Sequence, residues 1–157
     1  MDVNFEMADK SHRSDMYKIY KNALERSEDY SEKREDALLF SRDEMPEKLY
    51  VDDGNITIIA KRDGRVVGWS SLMVDKSALD GLFVDPVYQG YGIGSSMLSR
   101  IESLATSESL SQMILMTNPD TEDFYLEKGY NRVGDGMVLG LYSDDEIFCV
   151  VLMKQLV

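Results

Sequence analysis

The 157-residue chain is poor in the residues that build metal centres and covalent frameworks, with one Cys, one His, three Pro and one Trp. A single cysteine excludes an internal disulfide, and a single histidine excludes zinc fingers and every multi-histidine metal site. No apolar run approaches the roughly 18 residues of a membrane span, and the amino-terminal segment is acidic and mixed, unlike a signal peptide. We therefore expect a soluble, cytoplasmic protein with no metal.

Positive charge is also scarce, since 17 Lys and Arg face 29 Asp and Glu for a net charge of −12 at pH 7. A charge of this sign repels nucleic acid and anionic lipid at long range, so we expect neither nucleic acid nor a membrane as partner. The acidic excess is explained by solubility or by attraction of a cationic substrate such as an amine. Charge alone does not choose between the two.

No linker, repeat or low-complexity tract divides the chain, so we expect one domain over residues 1–157. A chain of this length buries enough surface for one core. Its amino-terminal third predicts a strand, two helices and a loop: Val3–Met7, a helix from a Ser14 cap to about Arg26, Ser31–Ser41, and Arg42–Asp53.

The remainder predicts mainly strands. Two strands flanking the turn Arg62–Arg65 form a hairpin, and a third strand ends before Pro86. A helix opens at Gly90–Gly94, and a short helix stops at Gly129. The third strand is predicted over Ala78–Val84 and the short helix over Thr121–Lys128. A strand Met113–Thr117 lies between the two helices, and the chain ends in a hairpin of Asn131–Leu139 with Glu146–Leu156. This order predicts a mixed sheet with helices on its faces.

The most informative segment is the glycine-rich turn between the third strand and the long helix. Gly90, Gly92 and Gly94 leave their backbone N–H groups unshielded. Because helix amino termini carry unpaired N–H donors and partial positive charge, such a turn suits phosphate, although packing alone also explains glycines there. The turn lacks the Gly-Lys-Ser/Thr ending of a P-loop, and Ser95 stands where G-x-G-x-x-G would need its last glycine.

Together with a segment about thirty residues downstream, this turn resembles the GNAT superfamily of N-acetyltransferases. That family's acetyl-CoA signature, Q/R-x-x-G-x-G/A, is matched by Gln89, Gly92 and Gly94. Its downstream segment, Asn-x-x-Ala-x-x-aromatic-Tyr-x-x-x-Gly-aromatic, is matched by Asn118, Phe124, Tyr125, Gly129 and Tyr130, with Thr121 in place of Ala. The resemblance implies an α/β (α+β) acyltransferase fold, a mixed, mostly antiparallel sheet of about seven strands flanked by helices and open between the fourth and fifth.

The resemblance also implies a reaction, the transfer of acetyl from acetyl-CoA to a primary amine of a small molecule or peptide, by direct attack in a ternary complex. Asn118 would hydrogen-bond the cofactor near its thiol. Tyr125 would protonate the leaving thiolate, or at least hydrogen-bond its sulfur, since an ordinary tyrosine pKa of about 10 keeps that proton at neutral pH. Strand backbone would pair with pantetheine, and turn N–H groups would hold the pyrophosphate: Leu82, Phe83 and Val84, then Gln89, Gly90, Tyr91, Gly92, Ile93, Gly94 and Ser95.

Two further roles are assigned along the third strand. The Val84 N–H is the candidate for stabilising the oxyanion of the reacting carbonyl. Asp80 is the candidate general base, because alternation in a strand places it on the same face as Leu82 and Val84, where it would deprotonate the amine through water. A solvated or ion-paired strand residue is the alternative reading of Asp80.

Other conspicuous residues receive structural interpretations. Cys149 alternates into the last strand and is predicted to be a core thiol, and Trp69 is predicted to pack the hairpin rather than line an acceptor pocket. The apolar final hairpin offers an edge through which two copies could form a homodimer. A non-catalytic acyl-CoA-binding or sensing domain is the alternative function, and the presence of both Asn118 and Tyr125 favours the enzyme.

Overall fold

The computed structural model describes residues 2–25, 54–139 and 146–156. This part of the chain holds seven strands: β1 (Asn4–Met7), β2 (Asn55–Arg62), β3 (Arg65–Met73), β4 (Ala78–Val84), β5 (Gln112–Thr117), β6 (Asn131–Leu139) and β7 (Glu146–Gln155). It also holds three α-helices: α1 (Arg13–Glu25), α2 (Ile93–Ser107) and α3 (Glu122–Glu127). The predicted helix Ser31–Ser41 and loop Arg42–Asp53 lie outside the described residues.

All seven strands belong to one sheet, in the order β1-β2-β3-β4-β5-β7-β6. The β4–β5 pair is parallel and the other neighbours are antiparallel, which confirms the predicted mixed, mostly antiparallel fold. Asp63 and Gly64, at the turn of the first hairpin, have φ values of 51° and 75°. Positive φ at both positions is the type I′ geometry that suits the twist of a two-residue hairpin.

Helices cover both faces of the sheet. On one face α2 packs through five buried apolar residues that recur at helical spacing: Ile93, Met97, Leu98, Ile101 and Ala105. On the other face Met16, Ile19 and Tyr20 of α1 pack with Trp69. Trp69 is fully buried and its Nε1 donates to the Met16 carbonyl at 2.9 Å, so its predicted packing role is confirmed. None of the helices described is long and apolar enough to span a membrane.

The start of α1 differs from the sequence prediction, and the Ser14 cap is wrong. A 3₁₀ turn, Lys10–His12, precedes the helix, and Asp9 is its cap. The Asp9 carboxylate accepts from the Ser11 N–H at 2.8 Å, and His12 Nδ1 accepts from the Asp9 N–H at 3.0 Å. Asp is as good a cap as Ser, so this reciprocal pair begins the helical segment one turn earlier. The single histidine is therefore used structurally.

The sheet opens between β4 and β5. These strands pair at Ala78 with Ile114, and the Ile114 N–H donates to the Ser77 carbonyl at 2.9 Å. Beyond this point the strands separate toward their carboxyl ends, as the resemblance implied. Parallel strands place their carboxyl ends at the same edge, so the glycine-rich turn after β4 and the segment after β5 face each other across the opening.

Candidate active site

A cleft of about 940 Å³ occupies the opening between the two strands. Residues of β4, the glycine-rich turn, β5 and α3 line it, and α1 and β7 contribute to its wall. The cleft brings together most of the predicted site residues: Leu82, Phe83, Val84, Gln89, Gly90, Gly92, Ile93, Gly94, Ser95, Asn118 and Tyr125. The side chains of Tyr91, which is 62% exposed, and Asp80 do not line it.

Peptide groups of β4 face the cleft in alternation. The Asp85 N–H donates to the Val67 carbonyl of β3 at 2.8 Å. Successive residues of a strand direct their peptide groups to opposite sides, so those of Val84 point away from β3 and into the opening. The Gln89 amide donates to the Val84 carbonyl at 3.4 Å from that side. By the same alternation Phe83 directs its peptide groups toward β3.

The glycine-rich turn needs glycine for backbone reasons. Gly90 and Gly92 have φ values of 85° and 81°, and Gly92 caps α2. Gly94 has an ordinary φ, and a Cβ built on it would lie 3.7 Å from Val84 Cγ2 and 3.8 Å from Phe124 Cζ. That space accommodates a methyl group, in keeping with the Gly or Ala of the family signature. The first turn of α2 therefore presents unpaired N–H groups to the cleft.

The predicted face of Asp80 is wrong, because β4 contains a bulge. Ser70 pairs with Leu82 but Leu72 pairs with Leu79, so β4 carries one extra residue between these pairs. Leu79, Leu82 and Val84 all pack toward α2. Asp80 follows Leu79 and therefore lies on the α1 face, opposite Leu82 and Val84. The extra residue reverses the alternation on which the prediction depended.

Gly81 makes the bulge possible. It has a φ of 142°, and its carbonyl accepts from the Ser70 hydroxyl at 2.7 Å. A Cβ at this position would lie 3.0 Å from both the Phe83 and the Trp69 ring. The bulge thus depends on the missing side chain and on a buried hydroxyl that satisfies the displaced carbonyl.

Asp80 belongs to a polar group that crosses three strands. The Asn55 side chain hydrogen-bonds to its carboxyl group and also donates to Ser71 Oγ at 3.1 Å. Ser71 is fully buried and lies 2.9 Å from the Thr57 hydroxyl. Burial raises the pKa of Asp80 to about 6, against the opposing effects of Lys76 and Asn55. Asn55 is a residue that the sequence analysis did not single out. It lies two positions before Thr57 on a predicted strand, so the two polar side chains share one face, and this pattern was the available signal.

The segment after β5 places Asn118 and Tyr125 against the cleft. Asn118 precedes a 3₁₀ turn, Pro119–Thr121, that leads into α3. The Thr121 hydroxyl donates to the Asn118 carbonyl at 3.2 Å and contacts the Thr117 hydroxyl. Alanine, the usual residue at this position of the family pattern, has no hydroxyl and could make neither contact. Thr121 therefore fits at the helix start and adds two contacts there.

Tyr125 is 7% exposed and its ring is held between two aromatic neighbours. The Phe124 and Tyr130 rings lie 5.0 and 5.7 Å from it, both in edge-on geometry. Burial raises the pKa of Tyr125, so its hydroxyl keeps the proton at neutral pH. Gly129, with a φ of 95°, ends this segment as predicted.

The α1 side of the cleft is apolar where the structure describes it. Tyr20 and Ala23 reach the cleft from α1, and the Tyr20 and Phe83 rings meet edge to face at 4.8 Å. Cys149 is buried and also lines this wall, and burial raises the pKa of its thiol. A thiol that stays protonated agrees with a packing role better than with a nucleophile. Within the described ranges no three Cys, His, Asp or Glu residues cluster as metal ligands.

Residues 26–139 match the family described as acetyltransferase (GNAT) domain. This match covers most of the chain, and the chain belongs to the GNAT acetyltransferase family. The structure assembles three parts of this family's pattern around the cleft: the opening of the sheet between β4 and β5, the glycine-rich turn, and the segment from Asn118 to Tyr130.

Solved structures of this fold are similar over nearly the whole chain. A GCN5-related N-acetyltransferase from Rhodopseudomonas palustris has a TM-score of 0.88 at 21% identity, covering 99% of this chain and 97% of its own. The yncA protein of Salmonella typhimurium, solved with its cofactor acetyl-CoA, has a TM-score of 0.70 at 17% identity, covering 100% and 95%. The alanine N-acetyltransferase of ribosomal protein S18 from Escherichia coli has a TM-score of 0.70 at 15% identity, covering 99% and 94%. At these identities the likeness establishes the fold. No curated protein matches the sequence.

Proposed function

We propose that this protein transfers an acetyl group from acetyl-CoA to a primary amine of a small molecule or peptide, by direct attack in a ternary complex. The observation that carries the proposal is the cleft itself, which opens at the point where β4 and β5 separate and has the amino terminus of α2 and the Tyr125 side chain on its walls.

The cleft has the groups that acetyl-CoA requires. The peptide groups of Leu82 and the Val84 carbonyl pair with the pantetheine arm as an added strand would, which leaves the Val84 N–H for the thioester, and Phe83 contributes its ring to the wall. The pyrophosphate lies against the N–H groups from Gln89 to Ser95, where the dipole of α2 offsets the negative charge of the protein. Asn118 bonds the cofactor near its thiol end. Tyr91 contributes its backbone to the turn.

The reaction needs few side chains once the reactants are held together. The amine nitrogen attacks the thioester carbonyl, and the Val84 N–H, directed into the opening, stabilises the oxyanion. The tetrahedral intermediate collapses by breaking the carbon–sulfur bond. Tyr125 gives its proton to the departing CoA thiolate, and the attacking nitrogen loses its remaining extra proton through water to the Tyr125 phenolate. The products are the neutral amide and the CoA thiol, and Tyr125 is again protonated.

Asp80 is proposed as the general base that takes the proton of the acceptor ammonium through water. The bulge at Gly81 places its carboxylate on the α1 face, the same side from which Tyr20 and Ala23 reach the cleft. In this arrangement the amine enters from the α1 side and acetyl-CoA fills the opening between the strands. A raised pKa of about 6 leaves the carboxylate ionised at neutral pH and able to accept a proton.

The Asp80→Asn substitution tests this role through pH. With the base present, the rate has a plateau between the pKa of Asp80, about 6, and that of the amine, and it falls below pH 6 as the carboxylate is protonated. Without the base only free amine reacts, so the rate rises about tenfold per pH unit toward the amine pKa. We expect the deficit to be largest near pH 6 to 7, about 10- to 100-fold, and to shrink as pH rises.

Thermal unfolding controls for damage to the fold in this variant. Burial disfavours the Asp80 carboxylate, and a neutral amide avoids that cost above pH 6, so the variant should melt at pH 7 no lower than the parent protein. A pH–rate profile identical in shape for both proteins would remove Asp80 from the mechanism.

The proposed function is tested by calorimetric titration with acetyl-CoA, CoA and ADP, followed by a thiol-release assay with a panel of amines. Saturable binding of acetyl-CoA with amine-dependent thiol release supports the enzyme. Binding with no release across polyamines, amino acids, antibiotic amines and peptides supports the acyl-CoA-binding or sensing alternative. Absence of acetyl-CoA binding contradicts both.

A further inference from the structure

Behind Tyr125, on the side away from the cleft, a charged cluster joins three elements of the fold. The Tyr130 hydroxyl donates to Glu102 Oε2 at 3.0 Å, and Lys154 Nζ lies 3.0 and 3.2 Å from the two Glu102 oxygens. Glu102 comes from α2, Lys154 from β7, and Tyr130 from the residue before β6. The Glu102 and Lys154 side chains are 17% and 28% exposed, so the pair is largely shielded from water.

Packing connects this cluster to Tyr125. The Tyr130 ring lies 5.7 Å from the Tyr125 ring at an interplanar angle of 76°, and the Tyr130 N–H donates to the Tyr125 carbonyl at 3.1 Å. Lys154 Nζ lies 5.6 Å from the centre of the Tyr130 ring, where the ammonium charge and the ring face attract each other in a cation–π contact. Glu102 therefore holds the Tyr130 hydroxyl and Lys154 covers the Tyr130 ring, while the same ring packs against Tyr125.

Tyr125 needs such support because its own helix is short. Helix α3 has six residues, too few for a stable helix without tertiary contacts. Gly129 adds to the arrangement, since a Cβ there would meet Lys154 Cε at 3.3 Å. The glycine thus admits the lysine stem that pairs with Glu102, as well as supplying the positive φ of the turn.

We propose that Glu102 is a positioning residue that, through Tyr130, holds the Tyr125 hydroxyl where it can protonate the leaving thiolate. The inference rests on the proposed acetyl transfer and on the role of Tyr125 in it. Glu102 does not line the cleft and touches neither substrate. Its effect is therefore expected on the chemical step and not on the binding of acetyl-CoA.

The test combines kinetics with a double-mutant cycle. Glu102→Ala should lower kcat about 10-fold with the KM for acetyl-CoA within about twofold, because a small displacement of the acid slows proton transfer. Tyr130→Phe, which keeps the ring but loses the hydroxyl, should slow the reaction in the same direction. In a Tyr125→Phe background, Glu102→Ala should change kcat less than about twofold, because the group through which it acts is already gone. The matched control is Glu108→Ala, an exposed glutamate that follows the same helix.

A spectroscopic readout separates this inference from the proposed function. With ¹³Cζ-labelled tyrosine, the Tyr125 resonance should shift or broaden in Glu102→Ala and stay unchanged in Glu108→Ala, whether or not an acceptor amine is known. An unchanged Tyr125 resonance, or independent effects of Tyr125→Phe and Glu102→Ala on kcat, would overturn the positioning role alone. Full activity of Tyr125→Phe would reject the acid role on which the inference rests, and no thiol release by the parent protein would reject the proposed function.

Discussion

Tyr125→Phe is expected to lower kcat about 100-fold, the contribution typical of a positioned general acid. The substitution removes one hydroxyl and retains the ring that packs between Phe124 and Tyr130. Without a proton donor the thiolate leaves as an anion into a shielded part of the cleft, and the collapse of the tetrahedral intermediate slows. Steady-state thiol release with a reactive amine measures the effect.

Binding of acetyl-CoA provides the control for this variant. In the proposed mode of binding the pyrophosphate and pantetheine groups contact other parts of the cleft, so the dissociation constant from calorimetry should stay within about threefold, a change of roughly 0.7 kcal/mol. Thiols of lower pKa need less protonation, so an acetyl thioester with a more acidic thiol should recover part of the lost rate. A kcat within twofold of the parent value would show that Tyr125 does not act as the acid.

Gly81→Ala is expected to destabilise the fold by about 3 kcal/mol, which lowers the melting temperature by roughly 5–10 °C. Two effects add. The φ of 142° is unfavourable for alanine, and the new methyl group would lie 3.0 Å from the Phe83 and Trp69 rings. Trp69 cannot easily move aside, since it is fully buried and its Nε1 donates a hydrogen bond to the Met16 carbonyl.

Gly134→Ala is the matched control for this effect, because Gly134 is a strand glycine with open space around its Cβ position and no positive φ. We expect it to be neutral or slightly stabilising, since alanine lowers the entropy of the unfolded chain. Differential scanning calorimetry of the two variants decides the question. Equal melting temperatures would contradict the close packing of β4 against Trp69 at the bulge.

Local sequence patterns were sufficient for most elements. Alternation and turn residues predicted β2, β3 and β4, and the 3.6-residue period of Ile93 to Ala105 predicted α2. These features depend on neighbours within a few positions along the chain. The difference at the start of α1 is local in the same sense, because Asp9 and His12, and not Ser14, form the cap.

The bulge in β4 is a feature that local sequence patterns do not predict. One extra residue in β4 moves Asp80 to the opposite face, and no alternation rule contains that information. The choice depends on Ser70 reaching the Gly81 carbonyl and on the close approach of the Trp69 ring to Gly81, which come from a neighbouring strand. Asn55 was missed for the same reason, because its partners belong to β3 and β4.

Local residue patterns are sufficient to predict the family, the order of the elements that the structure describes, and the two segments that meet at the cleft. Each depends on residue types at short fixed spacings, such as Gln89, Gly92 and Gly94. Three features depend on the tertiary structure: the face that Asp80 occupies, the peptide groups of β4 that enter the opening, and the contact of Glu102 and Lys154 with Tyr130, which packs against Tyr125. Those relations join residues far apart in the chain, and packing between strands and helices selects them.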